Sequence, residues 1–312
     1  MPLLTLPFPN LDPVAIAIGP VAIKWYGLAY ACGLLLGWLY IKRMLAEPRL
    51  WPAGKAPFDV DRTDDLLLYM TLGVVLGGRL GYVLFYKPAD YIAHPAEIFA
   101  VWKGGMSFHG GFIGSVLAIL YFTHKHVAPL TPRVPVKSLG ALVFTLFGNL
   151  LGFFKSGGRN TAPFWSVFDV TAAATPIGLF FGRLANFINA ELWGRPSNVP
   201  WAMVFPDRDA GPLPRHPSQL YEASLEGLAL FILCWWLIHK RDAFKSPGLV
   251  AGVFTAGYGA ARAFCEIFRE PDPAHWATST FMTAGILYSL PMIAIGLWIV
   301  HRARRAPQQS IA

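Results

Sequence analysis

Charge is what this sequence has least of. Of its 312 residues only 14% are Asp, Glu, Lys or Arg, against 54% hydrophobic, and the mean hydropathy is +0.44. A soluble globular domain carries about a quarter charged residues, so a soluble enzyme is excluded and the membrane class is indicated. Cysteine is scarce too. Cys32, Cys234 and Cys265 each stand in an apolar stretch without CxxC spacing. That excludes a disulfide framework or a cysteine metal site, and they read as small core residues. GxSxG and HExxH are absent, and His109 and His216 have no ligand spacing, so neither an intramembrane serine protease nor a metal enzyme is expected. No cofactor is expected either. The N-terminal MPLLTLPFPNLDP has no basic region before an apolar one, so no cleavable signal peptide is expected. Internal repeats, low-complexity tracts and a soluble domain are also lacking. Residues 1–312 read as one integral membrane domain.

What the chain does have is a series of long apolar runs. A hydrocarbon core about 30 Å thick needs roughly 20 apolar residues in a helix. Candidate spans fall near 21–41, 65–86, 106–123, 167–189, 218–238, 248–268 and 279–300. The net charge of +8 clusters at their ends: Lys42–Arg43, then His124–Lys125 with Arg133 and Lys137, then Lys240–Arg241 with Lys245, then Arg302, Arg304 and Arg305. Every second loop is the basic one. That is a topology signal rather than a nucleic-acid patch. It gives an all-α polytopic membrane protein of about seven transmembrane helices, N-terminus outside and C-terminus cytoplasmic. One run does not fit. Residues 138–155, SLGALVFTLFGNLLGFFK, are nearly long enough to cross, yet Lys137, Lys155 and Arg159 flank them on both sides. They read as an interfacial or re-entrant segment within a cytoplasmic insertion, 124–165. The longest polar stretch, 190–217, falls outside the membrane.

Against this apolar background the polar residues stand out, because a charge at mid-bilayer costs about 2.5–3.5 kcal/mol on insertion scales and usually faces a cavity or a partner. In KWYGL, Lys24, Trp25 and Tyr26 suit an aromatic belt with a snorkelling lysine as well as a site. In GGMSFHGGFIG, helix packing accounts for Gly110, Gly111 and Gly114 but not for His109, a side chain suited to moving protons. In FFGRLANFINAELWGRPS, Arg183 and Asn186 share a helix face, Asn189 and Glu191 follow at the outer surface, and Gly194 closes the helix. A guanidinium fork suits a phosphate; an internal Arg–Glu pair locking two helices is the alternative. In GYGAARAFCEIFREPD, Tyr258, Arg262, Glu266 and Arg269 fall within a stripe of roughly 80° at about 100° per residue, too polar for lipid to face. RHPSQLYEA adds His216, Gln219, Tyr221 and Glu222. Together these clusters describe a basic, polar cavity that opens outward and suits an anionic lipid headgroup.

At these residues the sequence resembles the prolipoprotein diacylglyceryl transferases, bacterial inner-membrane enzymes. GRLANFINAELWG meets the family signature. WYGL, GGRLGYVLFY, SFHGG, HPSQLYEA and YGAARAFCEIFREPD match further blocks in order, from about residue 14 to 300. The resemblance implies a multi-pass inner-membrane protein with its active site toward the periplasm, where 190–217 would also lie. It implies transfer of the diacylglyceryl group of phosphatidylglycerol to the lipobox cysteine in the signal peptide of a preprolipoprotein, with glycerol phosphate leaving and a thioether formed. Arg183 matches the family's lipid-binding arginine, His109 its essential histidine and Arg262 its essential arginine. Tyr26, Asn186, Glu191, Gly194, Tyr258 and Glu266 match other lipid-binding positions. Whether His109 takes the thiol proton or Arg262 acts electrostatically is left open by the residues. The chain departs from the family at 124–165, where the connection is usually short. A transporter of anionic solutes or a scaffold with internally paired charges are the readings from other classes.

Overall fold

The computed structural model describes residues 6–9, 11–19, 21–100, 104–127, 162–270 and 283–305. The apolar segment 138–155 lies outside the described residues. The architecture is mainly helical. Among the described residues, five helices are long and apolar enough to cross a membrane: Trp25–Leu45, Val60–Phe85, Ala162–Ile188, Ser218–Arg241 and Gly285–Arg305. The chain is therefore a polytopic α-helical membrane protein. Two of the seven expected spans are helical but fall short of that measure. Phe108–Phe122 has 15 residues before a π-helical turn, Thr123–Val127, takes over. Leu249–Glu266 has 18, with Arg262 and Glu266 lowering its hydropathy.

The chain divides into two compact units. The first comprises 1–44, 49–52 and 169–312. It opens with an element the sequence did not suggest. VAIAIGPVAIK forms an antiparallel hairpin, β1 (Val14–Ile18) against β2 (Val21–Lys24), with Ile18 opposite Val21 and Ala17 opposite Ala22. Alternating β-branched residues favour the strands, and Gly19 at φ 57° supplies the left-handed turn. The expected first span therefore begins at Trp25, four residues late, as α1 (Trp25–Leu45). Its Leu34, Leu35 and Leu39 are about half exposed, as a lipid-facing helix requires. Lys42 and Arg43 in its last turn complement the negative end of the helix dipole.

Within the same unit the carboxylate of Asp169, fully buried, accepts the backbone N–H groups of Gly248 and Ala251, each at 2.7 Å. It caps the helix Leu249–Glu266 from another helix, satisfying donors that would otherwise be orphaned in lipid. That helix packs on Ala284–Arg305 through small residues; a Cβ on Gly252 would meet Val300 N at 2.8 Å. The segment 190–217 is not simply polar loop. Phe187, Ala190, Phe205 and Ala210 form a buried cluster with Phe8, Trp193, Met203 and Leu220 against it, and Met203 pairs with Arg215 by two backbone hydrogen bonds.

The second unit comprises 45–48 and 53–168. It holds α2 (Thr63–Phe85), the short α3 (Pro88–Ala93) and α4 (Phe108–Phe122). Its anchor is Arg79, 4% exposed in a chain where a buried charge needs a reason. The guanidinium donates to four carbonyls: Glu97 O at 2.6 Å, Ile98 O at 2.9 Å, Gly104 O at 2.6 Å and Gly105 O at 3.1 Å. A planar fork of five donors suits such an irregular backbone; a lysine has three. The remaining helices are α5 (Ala162–Ile188), α6 (Ser218–Arg241), α7 (Leu249–Glu266) and α8 (Ala284–Arg305).

Candidate active site

The site is built where α5, α6 and α7 of the first unit bring charged side chains together. α6 is not uniform. Ser218–Glu222 is α-helical, Ala223–Ala229 is π-helical, and Leu230–Arg241 returns to α. π-helical turns are rare and concentrate at functional positions. Here the π turn lies against α5, where Gly227 permits close approach: a Cβ on it would meet Phe180 Cα at 2.7 Å. Phe180 stands one helical turn before Arg183.

Arg183 reaches two carboxylates of α6. Its Nε lies 2.9 Å from Glu222 Oε2, a charge contact whose N–H is not aligned for a hydrogen bond, and its Nη2 donates to Glu226 Oε2 at 3.3 Å. Arg262 Nη1 donates to Glu222 Oε1 at 2.6 Å, and Nη2 lies 2.7 Å from Glu266 Oε2 one turn along α7. Arg269, past the end of α7, donates to the same Glu222 Oε1 at 3.1 Å. Glu222 is thus shared by three guanidiniums. Both Glu222 and Glu226 are fully buried, while the three arginine side chains keep 17–19% exposure. The carboxylates are sealed from solvent, while each arginine side chain keeps partial exposure. Tyr258, 8% exposed, has Arg183, Arg262, Glu222 and Glu226 as its electrostatic neighbours.

A second group adjoins on α5. Asn186 Nδ2 donates to Glu191 Oε1 at 2.7 Å and approaches Tyr26 Oη at 3.4 Å. The geometry depends on how α5 ends. Ala190 and Leu192 hold left-handed φ values of 56° and 61°, uncommon outside glycine and a recurrent mark of functional turns. The turn swings Glu191 back over Asn186, and Glu191 N donates to Asn186 O at 3.1 Å. Gln219 and Ser218 hold it from α6, Gln219 Nε2 on Glu191 O at 2.6 Å and Ser218 Oγ on Leu192 O at 3.0 Å.

Two expectations need correction. Gly194 does not close the helix, which ends at Ile188. It pairs with Arg269, and a Cβ there would meet Phe268 O at 2.5 Å and His216 Cβ at 2.7 Å. Its glycine identity is a matter of close approach. The arginines also do not form a purely basic cavity, because Glu222, Glu226 and Glu266 match them charge for charge. The internal ion pair weighed against a ligand for Arg183 exists. His109 occupies the second position of α4 in the second unit. Its side chain lies outside the described residues. The turn carrying it is capped by Ser107 Oγ, which accepts from Gly110 N at 3.2 Å.

Glu226 was not singled out by any motif, and Glu222 was marked without a partner. The available signal was the i,i+4 spacing of two carboxylates inside one apolar run, which an apolar environment tolerates only when they are paired.

Above the cluster, His216 sits between the rings of Tyr221 and Phe268, at 5.8 and 5.1 Å. Trp201 Nε1–H, only a donor, bonds Tyr221 Oη, so the phenol proton is free for His216 Nδ1 at 3.0 Å. That order requires a neutral imidazole, and burial lowers the pKa of His216 from its ordinary value. A histidine depressed in the folded state contributes stability above its unfolded pKa near 6.5 and loses it as pH falls through the folded value. Acidification below about pH 6.5 is therefore expected to loosen the 194–216 segment. With the intrinsic pH dependence of exchange divided out, the protection of these amides should fall on acidification in the parent and stay flat in His216→Gln; equal pH slopes would remove His216 as the cause.

A family model described as prolipoprotein diacylglyceryl transferase matches residues 13–151 and 135–302 of the chain. Curated relatives match almost end to end. The phosphatidylglycerol–prolipoprotein diacylglyceryl transferase of Rhizobium meliloti (strain 1021) is 48% identical over 302 residues, 96% of this chain and 95% of its own length. Its namesake in Rhodopseudomonas palustris (strain ATCC BAA-98 / CGA009) is 49% identical over 313 residues, covering 98% and 96%. That of Mesorhizobium japonicum (strain LMG 29417 / CECT 9101 / MAFF 303099) is 46% identical over 310 residues, covering 99% and 96%.

Proposed function

The chain belongs to the prolipoprotein diacylglyceryl transferase family, and from that premise we propose that it moves the diacylglyceryl group of phosphatidylglycerol onto the lipobox cysteine thiol of a prolipoprotein. The observation that carries the reading is the cluster of Arg183, Arg262 and Arg269, buried enough to be strong and exposed enough to meet a phosphate. The sulfur attacks the glycerol carbon that bears the phosphate. The carbon–oxygen bond breaks, its electron pair leaves on the phosphate oxygen, and a thioether and glycerol phosphate result. Arg183 and Arg262 stabilise the developing phosphate charge in a low-dielectric site. Asn186, held by Glu191 beside Tyr26, offers an amide to the lipid's polar groups; Glu191 and Gly194 fix the turn around it. Tyr258 and Glu266 line the cluster from α7 and orient Arg262. His109, by its place in the family motif, takes the thiol proton, since a free thiol with pKa near 8.5 attacks only as thiolate.

Purified protein in detergent, supplied with phosphatidylglycerol and a synthetic lipobox peptide, is expected to add a diacylglyceryl mass to the peptide cysteine. Arg183→Ala should lower the rate by about 100-fold or more, the scale of losing one transition-state donor. No adduct from folded protein would refute the reaction. His109→Gln with nearly full turnover across pH 6 to 9 would remove His109 as the base.

We further propose seven crossings of a bacterial inner membrane, the N-terminus and residues 190–217 periplasmic, and the C-terminus and 124–165 cytoplasmic. The support is the basic last turns: Lys42 and Arg43 of α1, Lys240 and Arg241 of α6, and Arg302, Arg304 and Arg305 of α8. A cysteine placed in 240–246 should stay unlabelled by an impermeant thiol reagent on whole cells. Labelling there would reverse the orientation.

A further inference from the structure

The arginine cluster poses a charge problem for an anionic ligand. Arg183, Arg262 and Arg269 are balanced by Glu222, Glu226 and Glu266, so the group is neutral before anything binds. A phosphodiester brings one negative charge into it. An unbalanced buried charge is among the costliest states a protein holds, and neutralisation by a proton is the usual relief. We propose that phosphatidylglycerol binding is coupled to uptake of one proton by Glu226.

The choice among the three carboxylates follows from how each is held. Glu222 has three guanidiniums within 3.1 Å. Glu266 has Arg262 Nη2 at 2.7 Å, and the absence of a side chain at Gly285 leaves room for its carboxyl group. Each of the three has one buried oxygen without a hydrogen bond, but Glu226 has a single guanidinium contact, from Arg183 at 3.3 Å, the longest of the cluster's ion pairs. A phosphate on Arg183 competes for that one bond. Glu226 would then be a fully buried carboxylate facing Arg183 on α5, Arg262, Tyr258 and Cys265 on α7, and Glu222 on its own helix. With Arg183 occupied, Glu222 repels it and Arg262 is committed to Glu222 and Glu266. The proton goes to the carboxylate with the weakest hold on its charge.

The proposal rests on phosphatidylglycerol being the lipid bound, and its test separates the two. Calorimetric titration of the full chain in detergent with phosphatidylglycerol, near pH 7 in two buffers of different ionisation enthalpy, reads the protons exchanged on binding. About one proton is expected for the parent, with affinity rising up to tenfold per unit fall in pH. Glu226→Gln should bind with uptake near zero, and Glu226→Asp should restore uptake; melting curves establish that each variant is folded. Phosphatidylcholine, whose ammonium balances its phosphate, should drive no uptake. Binding without uptake in the parent, or the same uptake in Glu226→Gln, overturns the coupling and leaves the functional reading standing. No binding of phosphatidylglycerol to folded parent protein overturns both.

Discussion

Glu222→Ala is expected to be the most damaging single substitution in the charged cluster, lowering diacylglyceryl transfer by about 100-fold or more and the melting temperature with it. One carboxylate holds Arg183 at 2.9 Å, Arg262 at 2.6 Å and Arg269 at 3.1 Å. Removing it leaves three guanidiniums sharing two glutamates, in surroundings where an uncompensated buried charge costs about 3–5 kcal/mol. At about 1.4 kcal/mol per tenfold, misplacement of the arginines on that scale accounts for the rate loss. Glu222→Gln separates the two effects. The amide keeps the volume and can still accept from Arg262, so most of the fold should survive, while its NH₂ group faces guanidinium donors it cannot satisfy. The melting temperature should fall less than in the alanine variant, with turnover falling nearly as far. Equal activity in the glutamine variant and the parent would mean that the carboxylate charge is not what positions the arginines.

The cluster illustrates which parts of the site were legible in the sequence. Arg183, Asn186, Glu191 and Arg262 announced themselves because a polar group inside an apolar run needs a reason, and composition alone makes that visible. Which carboxylate each arginine meets is a tertiary fact. Glu222 meets Arg183 on α5 and Arg262 on α7 through the packing of three helices, and no residue pattern marks in advance the π turn that follows it. Helix existence was legible for the same reason as the site, since long apolar runs have few alternatives in lipid. The β1–β2 hairpin was not, because VAIAIGPVAIK is apolar up to Lys24 and its second strand was read as the start of the span at 21–41. Gly19–Pro20 was its one turn signal. The backbone strain at Ala190 and Leu192 was invisible in the letters, as neither residue favours the left-handed region. Gly194 was recognisable as necessary, but for a reason other than ending a helix.

The glycines before and after His109 support the second large effect, and they divide sharply. α2 and α4 cross at backbone contact: a Cβ on Gly114 would overlap Gly73 O, one on Gly110 would overlap Gly77 O, and one on Gly81 would meet Gly110 Cα at 2.8 Å. A Cβ on Gly111, the residue after Gly110, would have Val74 O as its nearest atom at 3.5 Å, an ordinary contact. Gly114→Val must therefore push the helices apart, because the obstacle is backbone and no side chain can rotate aside. Overpacking of this kind costs about 1–3 kcal/mol or more, and separation also loses the dispersion contacts that hold helices together in lipid. Gly111→Ala fits the space present and gains helix propensity of about 1 kcal/mol. The expected result is a clear drop in melting temperature for Gly114→Val and none for Gly111→Ala. Activity should diverge further than stability, since α4 carries His109 in its first turn and a shift of about 1 Å can cost 100-fold in rate. Equal tolerance of both substitutions would show that the close crossing of α2 and α4 is not maintained in the membrane.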